Sequence, residues 1–550
     1  MSFDPIAFKQ QFPLFSQTEN EDLVYLDNAA TTQKPQCVID ALGHFYSHNN
    51  GNAQRSSHRL ARQATNMIDT VREQARVFLG ANKKEDIVFT QGATHSINMI
   101  AYGLRKQLTA NDCIAVSYGE HHANLLPWQE VSHATDCELM LASPTLDELT
   151  KKTAGNTKNI KVIAISLASN ALGTQTDIAT LHTIKKHYPN SIIVLDITQW
   201  LAHQPITLSA LPCDFAACSA HKFYGPTGLG LLYGKYDYLA KLEPLLTGGE
   251  MVDTVSPQKS LYHSGYRGLE AGTSSMAAIA SLGACLAFWA EQDRNAMAAH
   301  EALLTQHLHQ QLQKICKKNS YLSLLTQAKN NIGIASIACN APYSIADLAL
   351  WLDKKNIAVR AGEHCTQLLW KKSHAHIKGG TLRLSIAAYN TLVDINAVVA
   401  AIEEYCDMID NADSTNTLTV FETMDWQALL DKKSWQQRYK QLILWGRSMD
   451  EQAQIRQPAY FIKGCESSVW LKHHLNNEKH YFIVDSDSAV IKGLAALVLC
   501  RINNKSTKEI ETIDFDTYFN SIGLSQHLSE SRQNGFNSLF QAMINFTKKS

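Results

Sequence analysis

Three short apolar runs, each long enough for one buried strand, lie between residues 161 and 220. They are "KVIAISLAS" from Lys161, "SIIVLD" from Ser191 and "DFAACSA" from Asp214, and "ATLHTIKKHY" between the first two has helical spacing. Strands that are apolar on both faces are typical of parallel sheets covered by helices. The alternation of strand and helix from residue 22 to 290 therefore predicts an α/β domain with a mostly parallel sheet.

The chain has 550 residues, too many for one hydrophobic core, since domains usually hold about 100–200 residues. After residue 290 the helical patterns "HEALLTQHLHQQLQKI", "IADLALWLDKK" and "DINAVVAAIEEYCDMI" surround a few strands and predict a smaller α+β unit. The polar, aperiodic stretch "DNADSTNT" from Asp410 to Thr417 indicates a linker. The predicted divisions are an N-terminal segment packing with the small domain (1–21), a large domain (22–290), a small domain (291–408), a linker (409–422) and a separate α+β domain (423–550).

Composition excludes several classes of function. The formal net charge of −1 gives no reason to expect a nucleic acid or an anionic membrane as a partner. No apolar run approaches the roughly 18 residues of a membrane span, and the start "MSFDPIAFKQQFPLF" does not have the pattern of a secretory signal. The 12 cysteines form no C-x-x-C pair and no zinc spacing, which predicts reduced thiols, no metal site and a cytoplasmic location.

Polar side chains follow each of the three buried runs. Asn170 follows the first, Asp196 ends the second, and Ser219, His221 and Lys222 follow the third in "CSAHKFYGPTGLGLLYG". The carboxyl ends of parallel strands define the ligand crevice of an open α/β sheet. A lysine at a strand end, with a hydroxyl and an imidazole close by in the sequence, suits a Schiff base beside a phosphate. A surface lysine on a turn, and an aspartate that caps the next helix, are the alternatives.

Two further stretches suggest contacts to a phosphorylated cofactor. In "QGATHSINMIAYGL", Gly92 leads into a helix, so the backbone amides of Thr94 and His95 could cradle a phosphate. Thr94 as a plain helix cap is the alternative. In "YGEHHANLLPW", the flat imidazole of His121 could stack on a cofactor ring, although paired histidines are more often part of a polar surface.

Taken together, these motifs resemble the class V aminotransferase family of pyridoxal 5′-phosphate enzymes, and within it the Suf-type cysteine desulfurases. The resemblance covers roughly residues 8–408 and includes "YLDNAATTQKP", "EHHANLLPW", "SNALGT", "HKFYGPTGLG", "EAGT", "RAGEHC" and "TLRLSIAAYN". It implies the fold of type I pyridoxal-phosphate transferases, with a large and a small domain. It also implies a homodimer that acts on L-cysteine.

The resemblance assigns a role to each candidate residue. Lys222 would hold the cofactor covalently, Asp196 would pair with the pyridinium nitrogen, and His121 would stack over the ring and transfer protons. Arg383 would clamp the substrate carboxylate, with help from Arg360. The remaining cofactor contacts would come from Gln199, Asn170 (which also faces the substrate), Thr94, His95, Ser219 and His221, and from Thr273 of the second subunit.

Two cysteines stand apart from the other ten. Cys365, in "VRAGEHCTQ", matches the catalytic loop of the family, where the thiolate would take sulfur from cysteine as a persulfide and release L-alanine. Residues 423–550 resemble the SufE family of sulfur acceptors through "IKGCESSVW", "DSDSAVIKGLAALVL" and "GLSQHLSESRQNG". Cys465 would then receive the sulfur from Cys365 and pass it to a downstream acceptor such as an iron–sulfur scaffold complex.

The sequence departs from the family pattern without removing a residue that has an assigned chemical step. The departures are at Gln54, Gln91, His95, Ile197, Thr198, Ser274, Ser275 and Glu363. Two alternatives therefore stay open. One is a selenocysteine lyase or another class V lyase, and the other is a catalytically weakened sulfur carrier or scaffold. Retention of Cys365 and of the fused acceptor favours cysteine as the substrate.

Overall fold

The structure is a computed structural model that describes part of the chain. The described residues are 3–53, 57–142, 148, 151, 158–340, 343–375, 377, 379–413, 429–432, 435–449, 451–462, 468–515, 517, 519 and 530–549. Cys465 and Gln54 lie outside them. The chain divides into two compact units, the first formed by Met1–Gln313, Leu324–Ser336 and Ala358–Ala397 and the second by Lys314–Ser323, Ile337–Ile357 and Val398–Ser550.

The strands occur in both halves of the chain. They are β1 (Val24–Tyr25), β2 (Ile87–Thr90), β3 (Asp112–Ser117), β4 (Glu138–Ala142), β5 (Asn159–Ser166), β6 (Ile192–Asp196), β7 (Phe215–Ser219), β8 (Gly230–Gly234), β9 (Val252–Val255), β10 (Ser260–Tyr262), β11 (Leu322–Leu324), β12 (Ile334–Cys339), β13 (Ile357–Ala358), β14 (Arg360–Gly362), β15 (Thr381–Ser385), β16 (Phe461–Ile462), β17 (Val469–Asn476) and β18 (Lys479–Ser486).

The α-helices of the described residues follow the same chain order. They are α1 (Pro5–Lys9), α2 (Gln36–His48), α3 (Arg59–Leu79), α4 (Ala93–Leu104), α5 (Leu126–Thr135), α6 (Ile178–His187), α7 (Tyr236–Leu239), α8 (Met276–Ala290), α9 (Arg294–Lys318), α10 (Ile345–Lys354), α11 (Gln367–Ser373), α12 (Leu392–Asp413), α13 (Trp435–Ser448), α14 (Ala489–Ile502), α15 (Thr507–Glu511) and α16 (Glu530–Lys549). None of them combines the length and the apolar content that a membrane span needs.

A seven-stranded sheet in the order β2-β8-β7-β6-β5-β3-β4 organises the first unit. The pairs from β4 through β3, β5 and β6 to β7 are parallel, and β8 is antiparallel to both β7 and β2. The three apolar runs are β5, β6 and β7, with α6 between the first two. The predicted mostly parallel α/β sheet is therefore confirmed.

Both faces of this sheet are buried, because successive residues of a strand point to opposite sides. Ile163 and Ile165 of β5 join the core that includes α3 and α8, whereas Val162 and Ala164 join the core that includes α4 and α5. This double burial explains why the central strands are apolar throughout. Polar side chains are therefore confined to the ends of these strands.

The N-terminal segment packs on aromatic rings of the first unit. Phe12 lies 5.3 Å from Tyr224 and 4.9 Å from Tyr389, and Phe8 lies 5.6 Å from Phe288, measured between ring centroids. Tyr389 belongs to the predicted small domain, but Tyr224 and Phe288 belong to the predicted large one. The segment therefore packs with both, rather than with the small domain alone.

The second unit joins α10 to elements of the C-terminal residues. The buried carboxylate of Asp347 in α10 accepts hydrogen bonds from the Ser488 hydroxyl (2.7 Å) and the Ala489 amide (2.9 Å) at the start of α14. Strands β16, β17 and β18 form an antiparallel sheet. Helix α12 continues to Asp413, so residues 409–413 of the predicted linker are helical. Ile409 keeps the buried face of that helix going.

Candidate active site

A cavity of about 400 Å³ lies in the first unit, at the carboxyl ends of the central strands. Ser166, Asp196 and Ser219 are the last residues of β5, β6 and β7, and all three line it. The sequence prediction that polar residues after these strands meet at one edge of the sheet is consistent with this arrangement. Eleven of the predicted site residues line the cavity: Thr94, His121, Asn170, Asp196, Gln199, Ser219, His221, Lys222, Arg360, Cys365 and Arg383.

Lys222 follows β7 in a short 3-10 turn, and the next turn is fixed by Tyr224, whose backbone is left-handed with φ of 69°. Burial lowers the pKa of the Lys222 ammonium to about 8. The nearby guanidinium of Arg383 lowers this pKa further, while the Asp196 carboxylate opposes the shift. An amine with such a pKa is partly neutral near physiological pH and can act as a nucleophile or a base.

Asp196 is 8 % exposed and forms part of the cavity wall. Its Oδ1 accepts a hydrogen bond of 2.9 Å from the Thr198 amide. The Thr198 hydroxyl is buried and has no hydrogen-bond partner within the described residues. A buried carboxylate is costly unless it meets a cation or donors, so this one suits a protonated ring nitrogen of a bound cofactor.

The amino terminus of α4 reaches the cavity because two glycines allow a close backbone approach. Gly92, with φ of 146°, precedes the helix, and a Cβ on Gly230 would lie 2.4 Å from the Gly92 Cα. The Ser219 hydroxyl accepts the Ala93 amide at 2.8 Å. The hydrogen bonds of the helix itself begin with the Ser96 amide, so the Thr94 and His95 amides have no partner within the helix and make this end suited to an anion.

His121 stands on the other wall, in the turn before α5. Its Nδ1 accepts a hydrogen bond of 3.0 Å from the Ala123 amide. Burial first, and then the Lys222 ammonium, lower the pKa of this imidazole to about 4. The ring is therefore neutral at physiological pH, with the proton on Nε2, because Nδ1 acts as an acceptor.

Glu120, next to His121, is 4 % exposed and is held by β5 and by Asn124. Its carboxylate accepts hydrogen bonds from the Ser166 amide (3.0 Å), the Ser166 hydroxyl and the Asn124 side chain (2.7 Å). Burial raises the pKa of this carboxyl to about 7. Through these bonds, the turn that contains His121 is attached to the end of β5.

His221 packs beside the lysine that follows it. Its Nδ1 lies 3.3 Å from the Thr31 hydroxyl. Burial is the main cause that lowers the pKa of its imidazole to about 4, and the ammonium groups of Lys222 and Lys34 add to the shift. Like His121, it is a neutral hydrogen-bonding group at physiological pH.

Two arginines on paired strands share one carboxylate. Arg383 of β15 lies opposite Arg360 of β14, and both bind Asp27. Arg360 does so through Nε and Nη2 at 2.8–3.2 Å, and Arg383 through Nη2 at 3.2 Å. Arg383 also donates from Nη1 to the Asn170 carbonyl at 2.9 Å.

Arg383 is the arginine with spare binding capacity. It is 2 % exposed, its Nε has no hydrogen-bond partner in the described part of the chain, and burial lowers its pKa to about 10. The side chain of Arg360 is 49 % exposed and already holds Asp27 at several atoms. A buried, under-satisfied guanidinium lining a cavity is suited to bind a carboxylate.

The loop that carries Cys365 is held in an unusual backbone conformation. His364 and Cys365 are successive left-handed residues, with φ of 53° and 56°. The Asn170 side chain donates to the His364 carbonyl at 2.7 Å, and the His122 amide donates to the Cys365 carbonyl at 2.9 Å. Non-glycine residues adopt this conformation at some cost, so these contacts hold an exposed thiol at the cavity.

His364, the residue before the thiol, anchors the loop to β15. The His364 ring is buried and contacts the carbonyl and the hydroxyl of Thr381 from Nε2, at 3.1 and 3.0 Å. Its Nδ1 has no hydrogen-bond partner among the described residues. Burial lowers the pKa of this ring to about 3, and the Arg383 guanidinium acts in the same direction. Gln199, on the far wall, donates to the Ala29 carbonyl at 2.8 Å.

Two predicted residues lie outside this cavity lining. The His95 ring turns back so that its Nδ1 accepts the Gln91 amide at 3.2 Å, which leaves only its backbone at the helix end. Thr273 is exposed in the loop before α8, as a residue acting from a second subunit would be in a single chain. The contacts of these two residues with a cofactor stay predictions, as does the role of Cys465 as the sulfur acceptor.

Sequence reasoning missed four residues of the site. Asp27 joins the two arginines, Ser166 and Thr198 line the cavity, and His364 supports the thiol loop. Asp27 and His364 lie inside motifs that had been singled out, "YLDNAATTQKP" and "RAGEHC". Their position in those motifs was the available signal, but nothing in the sequence alone shows what each one touches.

Comparison with known proteins finds similar sequences over most of the chain. Residues 24–398 match the family model of class-V aminotransferases. A "probable cysteine desulfurase" of Vibrio cholerae is 36% identical over 408 residues, which cover 73% of this chain and 98% of that protein. The chain belongs to the aminotransferase class-V family, among its cysteine desulfurases. A cysteine desulfurase of Synechococcus elongatus is 35% identical over 410 residues, covering 73% of this chain and 64% of that protein.

Solved structures agree with this family assignment. The cysteine desulfurase CsdA of Escherichia coli superposes with a TM-score of 0.66 at 33% identity, over 74% of this chain and all (100%) of that one. An apo cysteine desulfurase of Thermococcus onnurineus gives a TM-score of 0.67 at 28% identity, over 74% of this chain and 99% of that one. Residues 426–547 match a second model, the SufE Fe-S metabolism associated domain. The predicted family, the predicted fold and the SufE domain are confirmed.

Proposed function

We propose that this desulfurase-family chain uses pyridoxal 5′-phosphate to convert L-cysteine to L-alanine, leaves the sulfur as a persulfide on Cys365, and relays it to Cys465. One observation carries the proposal. A single cavity holds an amine with a lowered pKa, a buried carboxylate, a buried arginine and an exposed thiol, namely Lys222, Asp196, Arg383 and Cys365. Each is a group that the reaction requires.

The residues of the cavity fit pyridoxal phosphate. The amino terminus of α4 and the Ser219 hydroxyl suit its phosphate, and the buried carboxylate of Asp196 suits its pyridinium nitrogen. Lys222 supplies the amine that binds its aldehyde. His121 supplies a neutral ring on one wall, while Asn170, Gln199 and His221 complete the polar lining. When bound, the cofactor supplies an electron sink for carbanion chemistry at the substrate.

The chain's own residues then divide the remaining work. Arg383 binds the substrate carboxylate and so sets the orientation of the Cα–H bond. Lys222, with a pKa near 8, accepts the Cα proton as a general base. The Cys365 thiolate attacks the substrate sulfur, so a sulfur–sulfur bond forms as the Cβ–sulfur bond breaks. The electron pair of the broken bond stays on Cβ, which takes up a proton, and Lys222 returns a proton to Cα, which completes L-alanine.

The relay is a thiol exchange between two cysteines of the same protein. The Cys465 thiolate attacks the outer sulfur of the Cys365 persulfide, and Cys365 leaves as a thiolate ready for the next turnover. The SufE model over residues 426–547 supports Cys465 in this role. The sulfur carried by Cys465 then passes to a downstream acceptor, such as a scaffold complex, for iron–sulfur cluster assembly. The protein acts as a cytoplasmic homodimer, with Thr273 of each subunit contributing to the phosphate site of the other.

Two features favour this reaction over the alternatives. A selenocysteine lyase does not need a thiol at the cavity, yet Cys365 is exposed there on a loop held by several hydrogen bonds. A weakened carrier would be expected to lose some of the lysine, the carboxylate or the arginine, and all three line the cavity.

Mapping persulfides by mass spectrometry after adding ³⁴S-labelled cysteine tests the proposal. Wild-type protein should carry label on both Cys365 and Cys465. Cys465→Ser should carry it on Cys365 alone, and Cys365→Ser should carry none. Cys37→Ser is a matched control, because Cys37 is also an exposed thiol. Label on Cys465 in the Cys365→Ser protein would refute the order of the relay.

A further inference from the structure

The segment "AATTQKP" has no role in the reaction described above, yet it converges on the reactive lysine. The His221 carbonyl belongs to the peptide bond that leads into Lys222. It accepts hydrogen bonds from the Thr32 amide at 3.0 Å, the Thr32 hydroxyl at 3.1 Å, the Thr31 hydroxyl at 3.2 Å and the Lys34 ammonium at 3.1 Å. One carbonyl oxygen is thus the acceptor for four donors from a segment that lies 187 to 190 residues away in the chain.

The same segment also binds the backbone that follows the lysine. The Thr32 hydroxyl accepts the Tyr224 amide at 2.9 Å. Lys34 braces Thr32 in turn, because its ammonium also donates to the Thr32 carbonyl and lies 3.4 Å from the Thr31 hydroxyl. The backbone is therefore held on both sides of Lys222, at the His221 carbonyl directly before it and at the Tyr224 amide two residues after it. Lys34 is the one charged group in this set of contacts.

Lys34 makes these hydrogen bonds as a cation. It is half-buried, and burial lowers the pKa of its ammonium to about 8, so it is mostly charged at neutral pH. Hydrogen bonds from a charged donor are roughly twice as strong as those between neutral groups. The Lys34 ammonium donates to both the Thr32 and the His221 carbonyls, and so holds these two backbone segments together more firmly than neutral donors alone would.

We propose that Lys34 is a positioning residue for Lys222, and that its ammonium fixes the His221 carbonyl and thereby the backbone from which the reactive amine projects. This role rests on the proposed function, because Lys222 needs a fixed position only if it binds the cofactor and removes a proton. Lys34 itself is not assigned any contact with substrate or cofactor.

Kinetics of Lys34→Met, Lys34→Arg and the control Lys186→Met test the proposal. Lys186 is an exposed lysine in α6. A misplaced reactive group costs up to about a hundredfold in rate. Lys34→Met should therefore lower kcat by about ten- to a hundredfold while KM for cysteine changes less than about threefold. Lys34→Arg, which keeps the charge, should recover part of the loss, and Lys186→Met should match the wild type.

Hydrogen exchange gives a readout that does not depend on activity. In protein prepared without pyridoxal phosphate, Lys34→Met should speed exchange at the Thr32 and Tyr224 amides, which form the contacts around Lys222. Exchange in the β5 and β6 core should stay unchanged. Should Lys34→Met not fold, Lys34→Gln, which keeps a neutral donor, serves in its place with the same expectations.

Two results would overturn the proposal. One is a kcat for Lys34→Met equal to that of Lys186→Met. The other is a rate of hydrogen exchange at the Thr32 and Tyr224 amides of Lys34→Met that equals the rate in the wild type. Failure of the proposed function looks different, because wild-type protein loaded with cofactor would then release no alanine from cysteine, while the exchange comparison would still report whether Lys34 holds the segment.

Discussion

Replacing Arg383 by alanine is the most direct test of how the substrate is held. Arg383 is 2 % exposed, its Nη atoms bind Asn170 and Asp27, and its Nε has no partner within the described residues. Truncating one member of a buried charge pair typically costs about 2–5 kcal/mol. At about 1.4 kcal/mol per factor of ten, kcat/KM for cysteine should fall by about 30-fold to a few thousandfold.

Most of this loss should appear in KM, because the contact to the carboxylate exists before and during the reaction. Alanine release from cysteine gives the kinetic constants, and the visible spectrum shows whether the cofactor remains bound to lysine. Arg360→Ala is the matched control. Its side chain is half-exposed and bound to Asp27, and exposed ion pairs are worth about 0–1 kcal/mol, so the effect should stay below about fivefold.

Cysteamine, which lacks the carboxylate, separates a lost contact from general damage. If Arg383 binds that carboxylate, Arg383→Ala should weaken the reaction of cysteine far more than any reaction of cysteamine, and the preference for cysteine should shrink. An unchanged KM for cysteine in Arg383→Ala, with a large rise in Arg360→Ala, would refute the reasoning and move the clamp to Arg360. Equal losses for both substrates would point to a structural role.

Three other perturbations have defined outcomes. Lys222→Ala should abolish both the absorbance of lysine-bound pyridoxal phosphate and alanine production, and a variant that keeps both would disprove the assignment of Lys222. Cys465→Ser should release a single burst of alanine per site without reductant and regain turnover with dithiothreitol, whereas steady turnover without a thiol would argue against the relay. Thermal stability should fall from about pH 6.5 toward pH 4, because burial lowers the pKa of His121 and His221 to about 4 and that of His364 to about 3, so the unfolded chain takes up these three protons first. The Glu120 carboxyl, with its pKa raised to about 7, acts in the opposite direction but is one group against three. A melting temperature that stays constant from pH 7 to pH 4 would contradict that balance.

The architecture of the first unit was predictable because its sequence signals are strong and local. Strands β5, β6 and β7 are apolar on both faces, which only a covered parallel sheet requires, and the polar residues that follow them had to gather at one edge. The burial of Ile163 on one side of the sheet and of Val162 on the other follows from strand geometry. The position of Asp196 in the cavity followed from the same rule.

The contacts that tune these residues were not predictable, because they join segments far apart in the chain. Asp27 reaches two arginines more than 330 positions away, and Asn170 holds the carbonyl of His364. The sequence also suggested a linker starting at residue 409, but α12 runs on to Asp413 since Ile409 still has a buried surface to cover. Polar composition alone did not reveal that tertiary packing extends the helix.

The segment from Leu26 to Lys34 connects the two halves of the site. Its Leu26 carbonyl accepts the Ser385 amide at 2.7 Å, so it is bound to the end of β15, the strand that carries Arg383. Its other end holds the His221 carbonyl beside Lys222. One short stretch of backbone thus sets the distance between the arginine that would bind the substrate carboxylate and the lysine that would take the Cα proton. This explains why a segment without an assigned chemical step is a sensitive place to perturb the reaction: a shift of its backbone would move the clamp and the base relative to each other, and reaction rates fall steeply with such misplacement.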